Sequence, residues 1–185
     1  MNAWVFAGQG SQKRGMGSDL FDKYEGLVEK ADSILGYSIK ELCLKNPDNR
    51  LIRTEYTQPA LFFVNTLLYL EKIAKEKKPD FLAGHSLGEY NALFAAGVFD
   101  IETSLRIVKK RGELMAEAQN GGMAAVIGIK SDALHAILKQ NNLGSIDIAN
   151  YNSCFQTVIS GPAEDIHNAS AIFENAGARY IPLAV

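Results

Sequence analysis

Cysteine is nearly absent from this chain. Of 185 residues only Cys43 and Cys154 carry a thiol, with no CxxC pair and no His/Cys cluster at metal-ligand spacing. That excludes a disulfide framework and leaves no metal site to propose, and two distant thiols without a secretion signal point to a reducing cytoplasm. Long apolar runs are lacking too. Leu93–Phe99 (LFAAGVF) is typical of the longest, far short of the roughly 20 residues a membrane helix needs. The opening MNAWVFAGQG has no Lys or Arg before its apolar stretch, so it reads as a first β-strand rather than a signal peptide. There is no excess of either charge: 19 basic against 21 acidic side chains give a net charge of −2. A nucleic-acid binder would show a basic excess or stripe, so that class is set aside. With 47% hydrophobic and 22% charged residues the chain is too apolar to be disordered. Its length suits one domain, or one domain with a small insert.

The charge is unevenly spread. Residues 1–120 hold 16 basic and 16 acidic side chains, whereas 121–185 hold 3 and 5. Two basic clusters stand out, Lys72, Lys75, Lys77 and Lys78, and then Arg106, Lys109, Lys110 and Arg111. Most of these read as solvated helix faces.

Trp4–Ala7 is a short strand that enters a glycine-rich loop at Gly8–Gln12. From Ser18 onward, Leu20, Phe21, Tyr24, Leu27, Val28 and Ala31 recur at helical spacing, with Gly36 to close the helix. Residues 45–57 are polar and predict a loop. Pro59 then suits a helix start, where its missing N–H costs nothing, and Ala60–Ile73 is apolar nearly all round, as in a buried helix. Phe81–Ala83 predicts a strand, Glu89–Ala96 a helix stopped by Gly97, and Asp100 caps a helix over 101–119. Gly121 and Gly122 read as a break.

Beyond the break the rhythm changes. Strand 123–129, helix 131–140, strands 146–150 and 156–160, helix 163–175 and strand 179–185 follow in the order β-α-β-β-α-β, the split ferredoxin-like motif. A βα-layered body, 1–120, is thus followed by a small subdomain, 123–185.

Gly84-His85-Ser86-Leu87-Gly88 fits G-x-S-x-G, the nucleophile elbow. Three fixed residues are weak evidence alone, but the required context is present, with an apolar strand before and a helix after. In such a turn the serine Oγ is exposed and the N–H groups opening the helix aim at any oxyanion formed beside it. The alternative is a glycine-rich turn with an incidental serine. Gly8–Gln12 lacks the Lys-Ser/Thr of a P-loop and the spacing of a dinucleotide fingerprint. One of its N–H groups is a candidate second oxyanion donor beside that of Leu87. On helix 101–119 the apolar stripe runs Ile101, Leu105, Val108, Gly112, Met115, and Arg111 interrupts it. An inward guanidinium needs an anionic partner or a wet cavity. Two readings stand equally: a substrate role, or pairing with a protein carboxylate or snorkelling outward.

Several segments together are more specific. FAGQGSQ at 6–12, TQPAL at 57–61, GHSLGEYNALFAAGVF at 84–99, KKRGELM at 109–115, GGMAAVIG at 121–128 and ANYNSCFQTVISG at 149–161 resemble the malonyl-CoA:acyl-carrier-protein transacylases. Within that family they are most similar to the discrete, trans-acting acyltransferases of polyketide synthases. The resemblance runs through the whole chain. It implies an α/β fold, an α/β-hydrolase-like body with an inserted ferredoxin-like subdomain. It also implies transfer of malonyl from malonyl-CoA, through a Ser86 ester, to the phosphopantetheine thiol of an acyl carrier protein, in polyketide or fatty acid biosynthesis, with no bound cofactor. By the same match Gln12 and Leu87 lend backbone N–H groups to the oxyanion, Arg111 holds the free malonyl carboxylate, and Gln58 and His85 line the acyl pocket. Leu after Ser resembles malonyl-selective members.

The sequence departs from the family pattern at Ala7, where proline is usual, and at the general base. The family's catalytic histidine follows the strand after the insert, and the sequence reaches only Val185. The protein is therefore expected to continue, or to receive a complementary segment, and residues 1–185 to be inactive alone. His85 precedes the nucleophile and should diverge from Oγ, while His135 and His167 fall on polar helix faces. Two other readings remain open. One is an acyl hydrolase clearing carrier-bound groups, which would have no use for Arg111. The other is a non-catalytic carrier-docking protein, if 185 residues are the whole product.

Overall fold

The computed structural model describes residues 1–183 and divides the chain into two compact units, Met1–Glu117 and Ala118–Val185. In the first unit, β1 (Ala3–Phe6) pairs in parallel with β2 (Phe81–Gly84), in register from Ala3 opposite Phe81 to Phe6 opposite Gly84. Parallel strands need a crossover, made by α1 (Glu25–Leu35), α2 (Ile39–Lys45), a 3-10 segment Pro47–Ile52 and the long α3 (Thr54–Ile73). After β2 come α4 (Gly88–Ala95) and α5 (Ile101–Glu117), with Thr103 N–H donating to the Asp100 carboxylate at 2.7 Å to cap α5.

The core forms around α3. Phe62, Phe63 and Leu67 are fully buried in one cluster with Phe21, Ile39 and, from α5, Leu105 and Val108. Each such side chain contributes about 1.5–3 kcal/mol. The all-round apolar pattern of Ala60–Ile73 is met by this central position, with Leu68 among the few exposed exceptions.

Two sequence expectations fail in this unit. Residues 18–24 are turns, not helix. Gly15 and Gly17 hold positive φ, and Leu20 N–H bonds back to Gly17 O at 3.0 Å, so the apolar spacing serves a folded turn that buries Leu20 and Phe21. The supposed loop 45–57 contains the end of α2, the 3-10 segment and the first turn of α3. Pro59 is therefore the sixth residue of its helix, not the first. Its ring leaves the Glu55 carbonyl without a helical donor. The first turn is held instead by Thr57, whose hydroxyl donates to Leu51 O at 2.6 Å and Arg53 O at 2.9 Å.

The second unit runs β3 (Gly121–Ile127), α6 (Ser131–Gln140), β4 (Asp147–Ser153), β5 (Gln156–Pro162), α7 (Ala163–Asn175) and β6 (Arg179–Leu183). Its four strands lie in the order β4-β5-β3-β6, all neighbours antiparallel. Val126, Leu134, Ile159, Ile166 and Phe173 form its core. Gly121 and Gly122 do not break the chain but open β3, opposite Pro162 and Gly161. A side chain on Gly122 would press on Ala163 Cα at 3.1 Å, so glycine lets α7 start close to the sheet. The expected last strand ran to Val185, and residues 184 and 185 lie outside those described. Among the described residues no helix is long and apolar enough to cross a membrane.

Candidate active site

Three residues link β2 to α4, and the middle one is Ser86. Its φ is +52°, left-handed for a residue with a Cβ, a conformation that costs about 1–3 kcal/mol and persists only where its surroundings enforce it. The enforcement is visible. His85 N–H bonds Phe6 O at 3.0 Å, and Gly88 and Glu89 N–H return to the His85 and Ser86 carbonyls at 3.0 Å each. A Cβ on Gly84 would fall 1.9 Å from the Gly88 carbonyl carbon, and one on Gly88 would fall 2.1 Å from Phe6 O. The two glycines of the motif are thus fixed by backbone packing, and Ser86 is left exposed at the tip.

The first glycine loop packs on the same turn. A Cβ on Gly8 would lie 2.2 Å from His85 O. Ser11 N–H closes a turn onto Gly8 O at 3.3 Å, with Gly10 at φ +105°, the third position that a type II turn reserves for glycine. Gln12 turns inward on this loop: its Oε1 accepts from Gly10 N–H at 2.7 Å. Gln9, adjacent to the Gly8–His85 contact, points its side chain into the site. Among the described residues no acceptor engages the N–H of Gln9, Gln12 or Leu87.

Arg111 is partly buried on α5. Neighbouring Gly112 allows α5 to approach the start of α3, since a Cβ there would meet Thr54 O and Glu55 Cα at 3.2 Å. The guanidinium then donates through Nη1 to Gln58 Oε1 and through Nη2 to Ser86 Oγ, the latter at 3.2 Å, and lies 5.7 Å from the Tyr90 ring centre. No described carboxylate forms an ion pair with it: Glu55 is taken by Arg53, and Glu113 faces Lys110 at 3.8 Å. The pairing alternative for Arg111 is therefore not what this unit builds.

Gln58, assigned by resemblance to the pocket lining, is 0% exposed. Its Nε2 donates to Gln9 Oε1 at 2.8 Å while its Oε1 receives Arg111. It acts as a buried strut. His85 is exposed beside the nucleophile. Sequence reasoning missed Gln9, because what singles it out is the packing of Gly8 on His85, a contact between segments 77 positions apart. The Lys109 amine bonds Ile34 O at 3.0 Å, and Lys72 covers the Trp4 ring at 4.9 Å, so both clusters contain cations fastened to their own unit. In the second unit His135 and His167 are exposed, and His135 Nε2 meets Tyr151 Oη at 2.9 Å.

A strained serine thus sits on a glycine-locked elbow, opposite an arginine that no described carboxylate pairs. The chain belongs to the acyl transferase domain family, whose pattern matches residues 3–182. It is 58% identical over 175 residues to the polyketide biosynthesis malonyl CoA-acyl carrier protein transacylase PksC of Bacillus subtilis, which covers 94% of this chain and 61% of that protein. The crystal structure of malonyl CoA-acyl carrier protein transacylase from Burkholderia pseudomallei superposes with a TM-score of 0.95 at 48% identity, over 100% of this chain and 64% of that one. A chain in the structure of a type II polyketide synthase acyl-carrier protein in complex with its malonyl-transacylase matches with a TM-score of 0.87 at 38% identity, over 99% of this chain and 62% of that one. The chain therefore spans a little over three-fifths of the length of these relatives.

Proposed function

We propose that this chain carries the nucleophile and carboxylate-recognition half of a malonyltransferase serving polyketide biosynthesis. The observation that carries the reading is the Arg111 guanidinium, unpaired by any described carboxylate, donating to Ser86 Oγ at 3.2 Å. A cation held there by neutral groups is matched to an acyl chain ending in a second carboxylate, as malonyl does. Ser86 Oγ attacks the thioester carbonyl of malonyl-CoA, the C–S bond breaks, and coenzyme A leaves as the thiol with the serine proton. The phosphopantetheine thiol of an acyl carrier protein then attacks the ester, the C–O bond breaks, and Ser86 regains its proton. Leu87 N–H, opening α4, receives the oxyanion with a second N–H from the glycine loop. The resemblance names Gln12 for the latter, and the packing of Gly8 on His85 favours Gln9. His85 borders the acyl pocket, and Gln58 supports Arg111 from beneath. The base is assigned by resemblance to a histidine that in the family follows the strand after the small subdomain. That base would move the Ser86 proton, whereas the parts played by Leu87, Gln58 and Arg111 do not rest on it.

The same reading takes 1–120 as part of an α/β-hydrolase-like body and 123–185 as a ferredoxin-like subdomain, which the strand order β4-β5-β3-β6 supports. It places the protein in the cytoplasm, where its two free thiols stay reduced. Intact mass of the full-length protein after mixing with malonyl-CoA tests it. One malonyl adduct on wild type and none on Ser86→Ala is expected; an adduct that survives Ser86→Ala refutes the assignment.

A further inference from the structure

Gln58 is buried and bonded at both ends, and the Gln9 and Thr54 side chains at the far end of that relay take no part in the transfer chemistry proposed above. Resting on the malonyltransferase reading, we propose that the side chains of Gln9 and Thr54 are positioning residues for Arg111, and thereby set the preference for carboxylate-bearing acyl groups.

The polarity of the chain carries the inference. A guanidinium can only donate, so Gln58 must turn its carbonyl oxygen toward Arg111 and its NH₂ away. That NH₂ meets Gln9 Oε1 at 2.8 Å. Gln9 must therefore send its own NH₂ onward, and it reaches Thr54 Oγ1 at 3.3 Å. Each amide has one permitted orientation, and all follow from Arg111. Reversing either glutamine would set donor against donor. Thr54 opens α3 where Gly112 of α5 packs on its carbonyl, so the relay ends on the backbone that also fixes the base of Arg111.

Every acceptor in the relay is neutral. A carboxylate at Gln58 or Gln9 would hold Arg111 equally well but cancel the charge offered to substrate. The nearest acid of α3, Glu55, is bound instead by the Nε and Nη2 of Arg53. Amides thus aim the guanidinium without neutralising it. A buried amide left unpaired costs enough to disturb its neighbours, so removing Gln9 Oε1 should let Gln58 rotate and release Arg111.

The test compares kcat/KM for malonyl-CoA and acetyl-CoA in the full-length protein, with the Ser86 adduct read by intact mass. Thr54→Val is isosteric and removes the terminal acceptor, while Thr54→Ser keeps it. Thr54→Val should lower the malonyl-to-acetyl ratio about threefold or more, through a raised KM for malonyl-CoA with acetyl transfer unchanged. Thr54→Ser should restore the ratio. Gln9→Leu should lower it about tenfold or more. If wild type prefers malonyl-CoA and both Thr54→Val and Gln9→Leu keep its ratio, the positioning role is overturned while the transferase reading stands. If wild type forms no malonyl adduct, the transferase reading falls and this inference with it. Should Gln9→Leu fail to fold, the Thr54 pair decides alone.

Discussion

Adding one methyl group at Gly84 should do as much damage as truncating a large side chain of the core. The new Cβ would lie 1.9 Å from the Gly88 carbonyl carbon and 2.1 Å from Glu89 N, against an ordinary contact that begins at 3.4 Å. Both obstacles are backbone, so α4 would have to retreat by about 1.5 Å from β2. That movement pulls Asn91 from its acceptors, Phe62 O at 2.8 Å and Thr66 Oγ1 at 3.1 Å, each worth about 1 kcal/mol. Overpacking adds about 1–3 kcal/mol. Gly84→Ala should therefore cost about 3–5 kcal/mol and lower the melting temperature by roughly 6–20 °C. Two other glycines grade the effect. Gly26 in α1 has nothing within 4 Å of a built Cβ, so Gly26→Ala should be neutral or stabilising by up to about 1 kcal/mol. At Gly112 contacts of 3.2–3.3 Å oppose the helix-propensity gain of about 1 kcal/mol, and the net should be within about 1 kcal/mol of zero. Urea unfolding read by the single tryptophan suits the series, because Trp4 lies on β1 with its ring 5.9 Å from Tyr69. A Gly84→Ala midpoint indistinguishable from wild type would refute the claim that backbone packing fixes the elbow.

Other outcomes follow from single side chains. Burial pushes the Cys43 thiol up to about 12, whereas Cys154 is exposed, so near pH 8 an aromatic disulfide reagent should titrate one thiol in the native protein and two in denaturant; two fast thiols in the native state would contradict that burial. Hydrogen bonds from Lys23 and Lys75 hold the Glu71 carboxyl down to about 2. Its folded value lies below its unfolded one, so its contribution is complete above about 4.5 and is lost as pH falls toward about 2, and Glu71→Gln should flatten that part of an acid titration of stability. Arg111→Ala should abolish the malonyl preference, with the ratio of kcat/KM against acetyl-CoA falling by up to about 10⁴, and Arg111→Lys should recover only part of it because an ammonium lacks the planar fork. An unchanged ratio in Arg111→Ala would make Arg111 a structural residue.

The elbow was legible in the sequence because its chemistry is local. Gly84, Ser86 and Gly88 lie within five residues, and the strand and helix around them announce themselves by composition, whereas the left-handed φ of Ser86 is held by backbone packing at the two glycines. The βαββαβ order of the second unit was legible for the same reason, its apolar runs being short, alternating and punctuated by turns. Arg111 could be noticed as a break in an apolar stripe, yet nothing nearby in sequence says what a guanidinium meets. Its partners come from α3, the elbow and α4, with the first loop behind Gln58, brought together only when Gly112 packs on Thr54 and Gly8 packs on His85. The start of α3 misled for a related reason: Pro59 is a start signal by local rule, but burial of Thr57, Gln58 and Leu51 extends the helix a turn and a half ahead of it. Gln12 and Gln9 are equal candidates as letters, and only the loop's closure, with Gln12 folded onto Gly10 and Gln9 aimed at Gln58, separates them. Propensity and spacing thus determined which segments form the site. Close backbone approach between distant segments, which leaves no local trace beyond a glycine, decided which side chains face one another within it.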